Sequence, residues 1–189
     1  MKRMTKLHCR DLVIPSILSL RIFSLAAVPV FASRGSIILG VHLIGPETEK
    51  WWWAATMESI TDWHGDNYSQ VEIWHFVKGP RAPEPEGATH SEIKAGYKAM
   101  DFDVEYISGV MDWDDMLDEI LDRSCPIHVA WRPQTTLHGN VLCGFKRGDP
   151  PDYTPLGYWV MDPNETDDWQ YHGKDAFDDN WEYSQTVHP

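Results

Sequence analysis

The first half of the chain carries the hydrophobic spacing of amphipathic helices. Apolar residues recur every three or four positions from 51 to 63, and Gly65 follows them, which predicts a first helix. Ser69 and Thr89 each begin a Ser/Thr-x-x-Glu capping box. We therefore expect a second helix that ends before Gly79 and a third helix that follows Thr89. Asp112 is placed to cap a fourth helix.

The fourth predicted helix is strongly acidic on its outer side. That side carries Asp114, Asp115, Asp118, Glu119 and Asp122. A stripe of carboxylates could bind a cation or a basic partner, but a solvated helix face is the simpler explanation and is the one we predict.

Alternation of apolar and polar residues replaces the helical period later in the chain. A short strand is predicted over 102–106, between the third and fourth helices, and longer strands over 126–131, 138–145, 156–161 and 181–187. Turn-rich segments separate them. A helical N-terminal half followed by an antiparallel sheet predicts an α+β domain.

Length and charge narrow the class of protein. The 189 residues suit one domain with a substantial core. The formal net charge of -13 and the sequence pI of about 4.9 argue against binding to nucleic acid, because a phosphate backbone requires a basic surface.

The N-terminus has the features of a secretory signal. Basic residues precede an apolar stretch over 12–31, and Val30, Phe31 and Ala32 form a cleavage site with small residues. We predict a signal peptide over residues 1–32, a single domain over 33–189, and secretion or periplasmic location. The alternative is a cytoplasmic domain behind a wrongly assigned start. A membrane span is not expected, because no run of eighteen apolar residues is present.

The cysteines and histidines do not predict a metal or a cofactor. Cys9 would leave with the signal peptide, and the strand-like surroundings of Cys125 and Cys143 favour buried free thiols over a disulfide. The histidines show no spacing typical of a metal site on one element. We expect no cofactor and no metal.

Two segments near the first helix resemble a peptidase motif. Val-His-Leu-Ile-Gly-Pro-Glu-Thr at 41–48 precedes Trp-Trp-Trp-Ala-Ala at 51–55. Together they resemble the active-site region of short bacterial papain-like cysteine peptidases, of the bacteriocin-processing and type III effector kind, in which Trp-Cys-Trp-Ala-Ala carries the nucleophile. The resemblance implies that Trp52 stands at the nucleophile position and that Pro46 stands at the position of the glutamine that helps to form the oxyanion hole.

The second half of the chain resembles the rest of that motif. His138 begins an apolar strand that ends in Gly-Phe, which is similar to the family pattern around its histidine. Asp162, at the end of the next predicted strand, corresponds to the residue that orients the imidazole. The resemblance implies a papain-like fold in which His138 and Asp162 form a pair.

Trp52 decides the expected chemistry. An indole has no lone pair suited to nucleophilic attack, and its N–H can only donate. We therefore expect a papain-like homologue without catalytic activity that binds a peptide or protein in the cleft between its two halves.

Two alternatives stay open. One is an active peptidase whose sequence is altered at these positions. The other is an aromatic carbohydrate-binding module. It would use Trp51, Trp52, Trp53, Trp74 and Trp169. The sequence does not indicate an oligomeric state.

Overall fold

The computed structural model describes residues 30–33, 35–131, 138–149, 153–165 and 169–189. The helices are α1 (Trp52–Trp63), α2 (Gln70–Lys78), α3 (His90–Ala99), α4 (Trp113–Leu117), which continues into a π-helical turn (Asp118–Asp122), and α5 (Lys174–Asp178). The strands are β1 (Val30–Ser33), β2 (Ser36–Leu39), β3 (Asp103–Ser108), β4 (Ile127–Trp131), β5 (His138–Arg147), β6 (Pro155–Met161), β7 (Gln170–Gly173) and β8 (Trp181–His188).

The caps of α2 and α3 are those that the sequence predicts. Ser69 and Thr89 each accept the backbone N–H of the glutamate three residues later, and that glutamate accepts the N–H of the capping residue. Both capping boxes are therefore confirmed. Asp112 caps α4 by accepting the N–H of Asp114 at 3.0 Å.

All strand pairs of the described residues are antiparallel, and they form one sheet in the order β1-β2-β5-β4-β8-β3, with β6 paired to β5 and β7 paired to β6. Helix α1 packs against β4 and β5. Its buried residues Trp53, Met57 and Ile60 meet a core that includes Val141 of β5. The predicted α+β, papain-like class is confirmed.

The sheet contains more strands than the sequence predicts. The hairpin of β1 and β2 precedes the described helices and pairs with β5 through β2. β7 and α5 also go unpredicted, because each has only four or five residues and shows little periodicity.

The predicted signal peptide lies mainly on residues 1–29, which are outside the described residues. Cleavage after Ala32 would remove three of the four residues of β1. Signal peptide and export therefore stay predictions. Within the described parts of the chain, no helix is long and apolar enough to cross a membrane.

One prediction about the acidic helix face is wrong. Glu119 is buried, although Asp114, Asp115 and Asp122 are not. It lies three residues after the buried Met116 and so shares the inner face of the helix.

Candidate active site

Trp52 is the first residue of α1. The backbone N–H of Trp51 donates to the carbonyl of Thr48 at 3.0 Å, which sets the turn that leads into the helix. No side chain caps α1, and its first turn holds no acidic residue. The positive end of the helix dipole is therefore not offset by a carboxylate in that turn.

The indole of Trp52 lies over Gly139 at the start of β5. A Cβ at position 139 would come within 2.6 Å of Cε3 and 2.8 Å of Cζ3 of that indole, so only glycine leaves room for the ring. The imidazole of His138 lies beside it, with 5.8 Å between ring centroids and 35° between ring planes. Trp52 thus occupies the space between the start of α1 and the histidine.

His138 and Asp162 are brought together by the pairing of β5 with β6. Nε2 of His138 donates to Oδ1 of Asp162 at 2.9 Å, and the backbone N–H of Asn164 donates to the same oxygen at 2.9 Å. The side-chain amide of Asn164 also contacts Nε2. Burial alone would raise the pKa of Asp162, but the hydrogen bonds from His138 and Asn164 outweigh it and lower this pKa below its usual value. The carboxylate is therefore charged at neutral pH and fixes the imidazole orientation.

Pro46 lies in a loop that Gln70 of α2 holds in place. Oε1 of Gln70 accepts the backbone N–H of Glu47 at 2.8 Å, and Nε2 donates to the carbonyl of Gly45 at 2.8 Å. Proline has no N–H of its own. The side-chain amide of Gln70 is thus engaged with the residues on both sides of Pro46. Sequence reasoning missed Gln70, since a buried glutamine is visible only once the loop and the helix are placed together.

The two tryptophans that flank Trp52 have a structural role. The indole N–H of Trp51 donates to the carbonyl of Glu84 at 2.8 Å, and that of Trp53 donates to the carbonyl of Glu86 at 3.0 Å. These two hydrogen bonds hold the segment between α2 and α3 against the start of α1. Both rings are buried, as is Trp74, so none of the three can offer a flat face to a sugar.

The two cysteines of the described residues are poor candidates for a nucleophile that would act with His138. Cys125 and Cys143 are buried free thiols, as predicted. Burial, reinforced by Glu119, raises the pKa of Cys125 to about 11, and burial raises that of Cys143 well above its usual range. Without a bound cation, such thiols stay protonated at neutral pH and are poor nucleophiles. Thr56, one turn after Trp52, is fully buried.

A buried histidine that the sequence did not single out lies below the site. Nδ1 of His128 hydrogen-bonds with the Tyr97 hydroxyl at 3.2 Å, and Nε2 lies 3.4 Å from where a Cβ of residue 139 would be. Burial lowers the pKa of His128 to about 3, so the ring is neutral. Residues 127–130 of β4 are all buried, so the sequence shows no alternation that would single out His128. Its position below the site becomes visible only in the structure.

Metal-ligating side chains do not cluster at Trp52 in the described structure. Among the described residues, one group of three potential metal ligands is found, and it consists of Glu119, Cys125 and His188. It lies at the other end of β4, away from His138.

The fold is that of papain-like peptidase domains of the C39 type. The peptidase domain of Streptococcus ComA, a bifunctional ABC transporter involved in a quorum-sensing pathway, is 16% identical over 78% of this chain and 98% of that chain, with a TM-score of 0.58. A C39-like peptidase from Bacillus anthracis is 12% identical over 82% and 98% of the two chains, with a TM-score of 0.61.

A third structure with this fold contains a ligand. It is a double-glycine motif protease from an AMS/PCAT transporter in complex with its leader peptide, 14% identical over 86% of this chain and 98% of that chain, with a TM-score of 0.58. No protein-family model and no curated protein matches the chain. At these identities the structural likeness shows the fold, and the chemistry must be judged from the residues of the site.

Proposed function

We propose that this protein is a papain-like peptidase homologue that has lost catalysis and binds a peptide or an extended protein segment beside Trp52. The observation that carries the proposal is the Trp52 indole between the start of α1 and the His138–Asp162 pair. A covalent acyl intermediate needs a nucleophilic atom at that place. An indole provides none.

The retained histidine pair supports loss from a working arrangement. In a cysteine peptidase such an imidazole assists the thiol, and a carboxylate or amide orients the imidazole. Here the orienting part remains without a thiol to serve. In a serine protease, removal of the nucleophile alone lowers turnover on the order of a million-fold. The Pro46 substitution removes a further donor, of a kind typically worth about 3 kcal/mol of transition-state stabilisation.

Partial exposure of the three central side chains supports a binding role. Trp52 is half-buried, and the side chains of His138 and Asp162 are 18% and 16% exposed. A ligand can therefore touch the indole and the imidazole from solvent. The strongly acidic chain favours a neutral or basic segment over nucleic acid. The complex of the double-glycine motif protease with a leader peptide supports a peptide ligand for this fold.

The catalytic half of the proposal is tested with casein and a thiol-reactive peptidase probe. We expect no cleavage and no covalent adduct from the unaltered protein. Cleavage or labelling that disappears in a His138→Ala variant would overturn the proposal and favour an active enzyme.

Restoring the two altered positions provides a positive control. In a Trp52→Cys, Pro46→Gln variant the thiol would lie at an uncapped helix start beside His138. We expect measurable casein cleavage that a further His138→Ala change abolishes. Continued inactivity of a correctly folded variant would contradict the idea that only these two changes removed catalysis.

The binding half is tested with a fluorescent peptide that carries a double-glycine motif. We expect saturable binding to the unaltered protein, at least tenfold weaker in Trp52→Ala, which corresponds to about 1.4 kcal/mol. Tyr153→Ala removes an exposed aromatic ring elsewhere and should leave binding unchanged. No saturable binding of this peptide or of casein fragments would refute a peptide-binding role.

A further inference from the structure

Three side chains with the chemistry of metal ligands meet at the end of the sheet opposite to His138. Glu119 comes from the π-helical turn, Cys125 from the residues just before β4, and His188 from the last position of β8. Their ligand atoms all lie within 4.8 Å of one another. The closest pair is Nε2 of His188 and Oε2 of Glu119, at 2.7 Å.

The scaffold fixes these groups with respect to one another. The backbone N–H of Cys125 donates to the carbonyl of Glu119 at 2.8 Å, so the turn between them has a defined shape. Glu119 and Cys125 are buried, and His188 is half-buried. A tetrahedral ion with ordinary Zn–N, Zn–O and Zn–S bonds holds its ligand atoms about 3.3 to 3.7 Å apart. Only small side-chain movements separate the present arrangement from that geometry.

We propose that Glu119, Cys125 and His188 bind a divalent transition-metal ion of the Zn²⁺ class, with the fourth coordination position open to solvent. The donor set decides the class of metal, because one thiolate, one imidazole and one carboxylate suit Zn²⁺ or Co²⁺ and do not suit Ca²⁺ or Mg²⁺. The site is independent of the proposed peptide-binding function.

The surroundings favour a cation that arrives from solvent. Glu119 and His188 line a pocket of about 240 Å³, whose wall also includes Glu105, Asp115 and Asp118. These carboxylates create a negative potential at the entrance. A divalent ion would offset the charges of the Glu119 carboxylate and a Cys125 thiolate.

Among the described residues, Arg123 is the cationic side chain that contacts the cluster. Its Nη1 lies 3.4 Å from Nε2 of His188 and 3.5 Å from Oε1 of Glu119. It competes with a metal ion for the same groups. Its side chain is 54% exposed, so it can turn into solvent when an ion binds. Removal of this charge should therefore tighten metal binding.

The test uses the full chain without a polyhistidine tag, titrated with Co²⁺ and with Zn²⁺. We expect one Co²⁺ per chain, a thiolate-to-cobalt charge-transfer band, and displacement of Co²⁺ by Zn²⁺. Zn²⁺ should raise the melting temperature, whereas Mg²⁺ should not. Absence of the band, or a melting temperature that Zn²⁺ leaves unchanged, would overturn the proposal and leave an ion-pair network only.

Variants assign the ligands. Cys125→Ser should abolish the band, whereas a Cys9→Ser, Cys143→Ala double variant should keep it. His188→Gln should weaken Co²⁺ binding at least about tenfold, and the exposed His42→Gln should not change it. A band that survives Cys125→Ser, or equal affinities in the two histidine variants, would refute the assignment.

Arg123→Gln gives a result in the opposite direction. It should strengthen Co²⁺ binding severalfold, because it removes the competing guanidinium without altering a ligand. A weaker affinity would contradict the proposed position of the ion. Because this change increases binding, a failure to fold cannot imitate the expected result.

Discussion

We expect the free energy of unfolding to decrease as the pH falls, because His128 is buried as a neutral imidazole. The ring is fully buried between Tyr97 and Tyr183, and burial is the cause of its low pKa of about 3. In the unfolded chain an ordinary histidine takes up a proton near pH 6.5. Below that pH the unfolded state binds a proton that the folded state does not accept, so protonation favours unfolding.

The size of the effect follows from the two pKa values. The stabilisation is fully present above about pH 6.5 and is lost progressively as the pH falls towards 3. In the middle of this window each pH unit costs about 1.4 kcal/mol. From pH 7.5 to 4.5, His128 alone should lower the free energy of unfolding by about 2.6 kcal/mol. That loss is a large part of the 5 to 15 kcal/mol typical of a domain.

Urea denaturation at a series of pH values measures this contribution as the difference between the protein and a His128→Gln variant. His64, His172 and Asp162 also have lowered pKa values, but they are present in both proteins, and so their contributions cancel. The difference should shrink by about 2.6 kcal/mol between pH 7.5 and 4.5. A pH-independent difference would refute the reasoning. If the variant does not fold, the ¹⁵N chemical shifts of the His128 ring should still report a neutral imidazole at pH 5.

Two further predictions concern the packing around the candidate site. Gly139→Ala should cost about 1 to 3 kcal/mol of stability in urea denaturation, because its methyl group would overlap the Trp52 ring, and most of this cost should vanish in a Trp52→Cys background. An equal cost in both backgrounds would show that the indole does not lie on Gly139. Gln70→Ala should cost about 1 to 3 kcal/mol, because it leaves an N–H and a carbonyl of the Pro46 loop unpaired, whereas the neighbouring exposed Val71→Ala should cost less than about 0.5 kcal/mol. Equal losses for these two variants would contradict the bridging role of Gln70.

The elements that the sequence predicts are those with a strong local signal. The capping boxes at Ser69 and Thr89 set the starts of α2 and α3, and the alternating segments became β4, β5, β6 and β8. The hairpin of β1 and β2 has four-residue strands and depends on pairing with β5, a contact distant in sequence. Local patterns do not contain that information.

The same distinction between local sequence patterns and contacts distant in sequence applies to the candidate site. A family pattern around each residue pointed to His138 and Asp162, and strand pairing brings them within 2.9 Å. Gln70 and His128 carry no pattern, because each acts through a partner on a different element. Glu119 looked solvated, because it is one of five acidic residues between positions 114 and 122, and the acidic composition conceals the one that turns inward. Gln70 and His128 were missed because their roles depend on tertiary contacts that no spacing rule captures, whereas the three-residue spacing from Met116 to Glu119 is a local signal that the acidic composition of the helix obscured.

The two altered positions differ in what they require of the rest of the fold. Position 46 can change freely, because Gln70 holds the loop through the neighbouring residues 45 and 47, and so a glutamine there would keep both hydrogen bonds. Position 52 is coupled to its surroundings, because the indole fills the space above Gly139. Cysteine at 52 would empty that space and give a substrate carbonyl room beside His138. Under the proposed function, Trp52 would block catalysis in two ways, by lacking a nucleophilic atom and by filling the space beside His138. A Pro46→Gln change alone should accordingly restore no activity, and Trp52→Cys is the change on which any recovery depends.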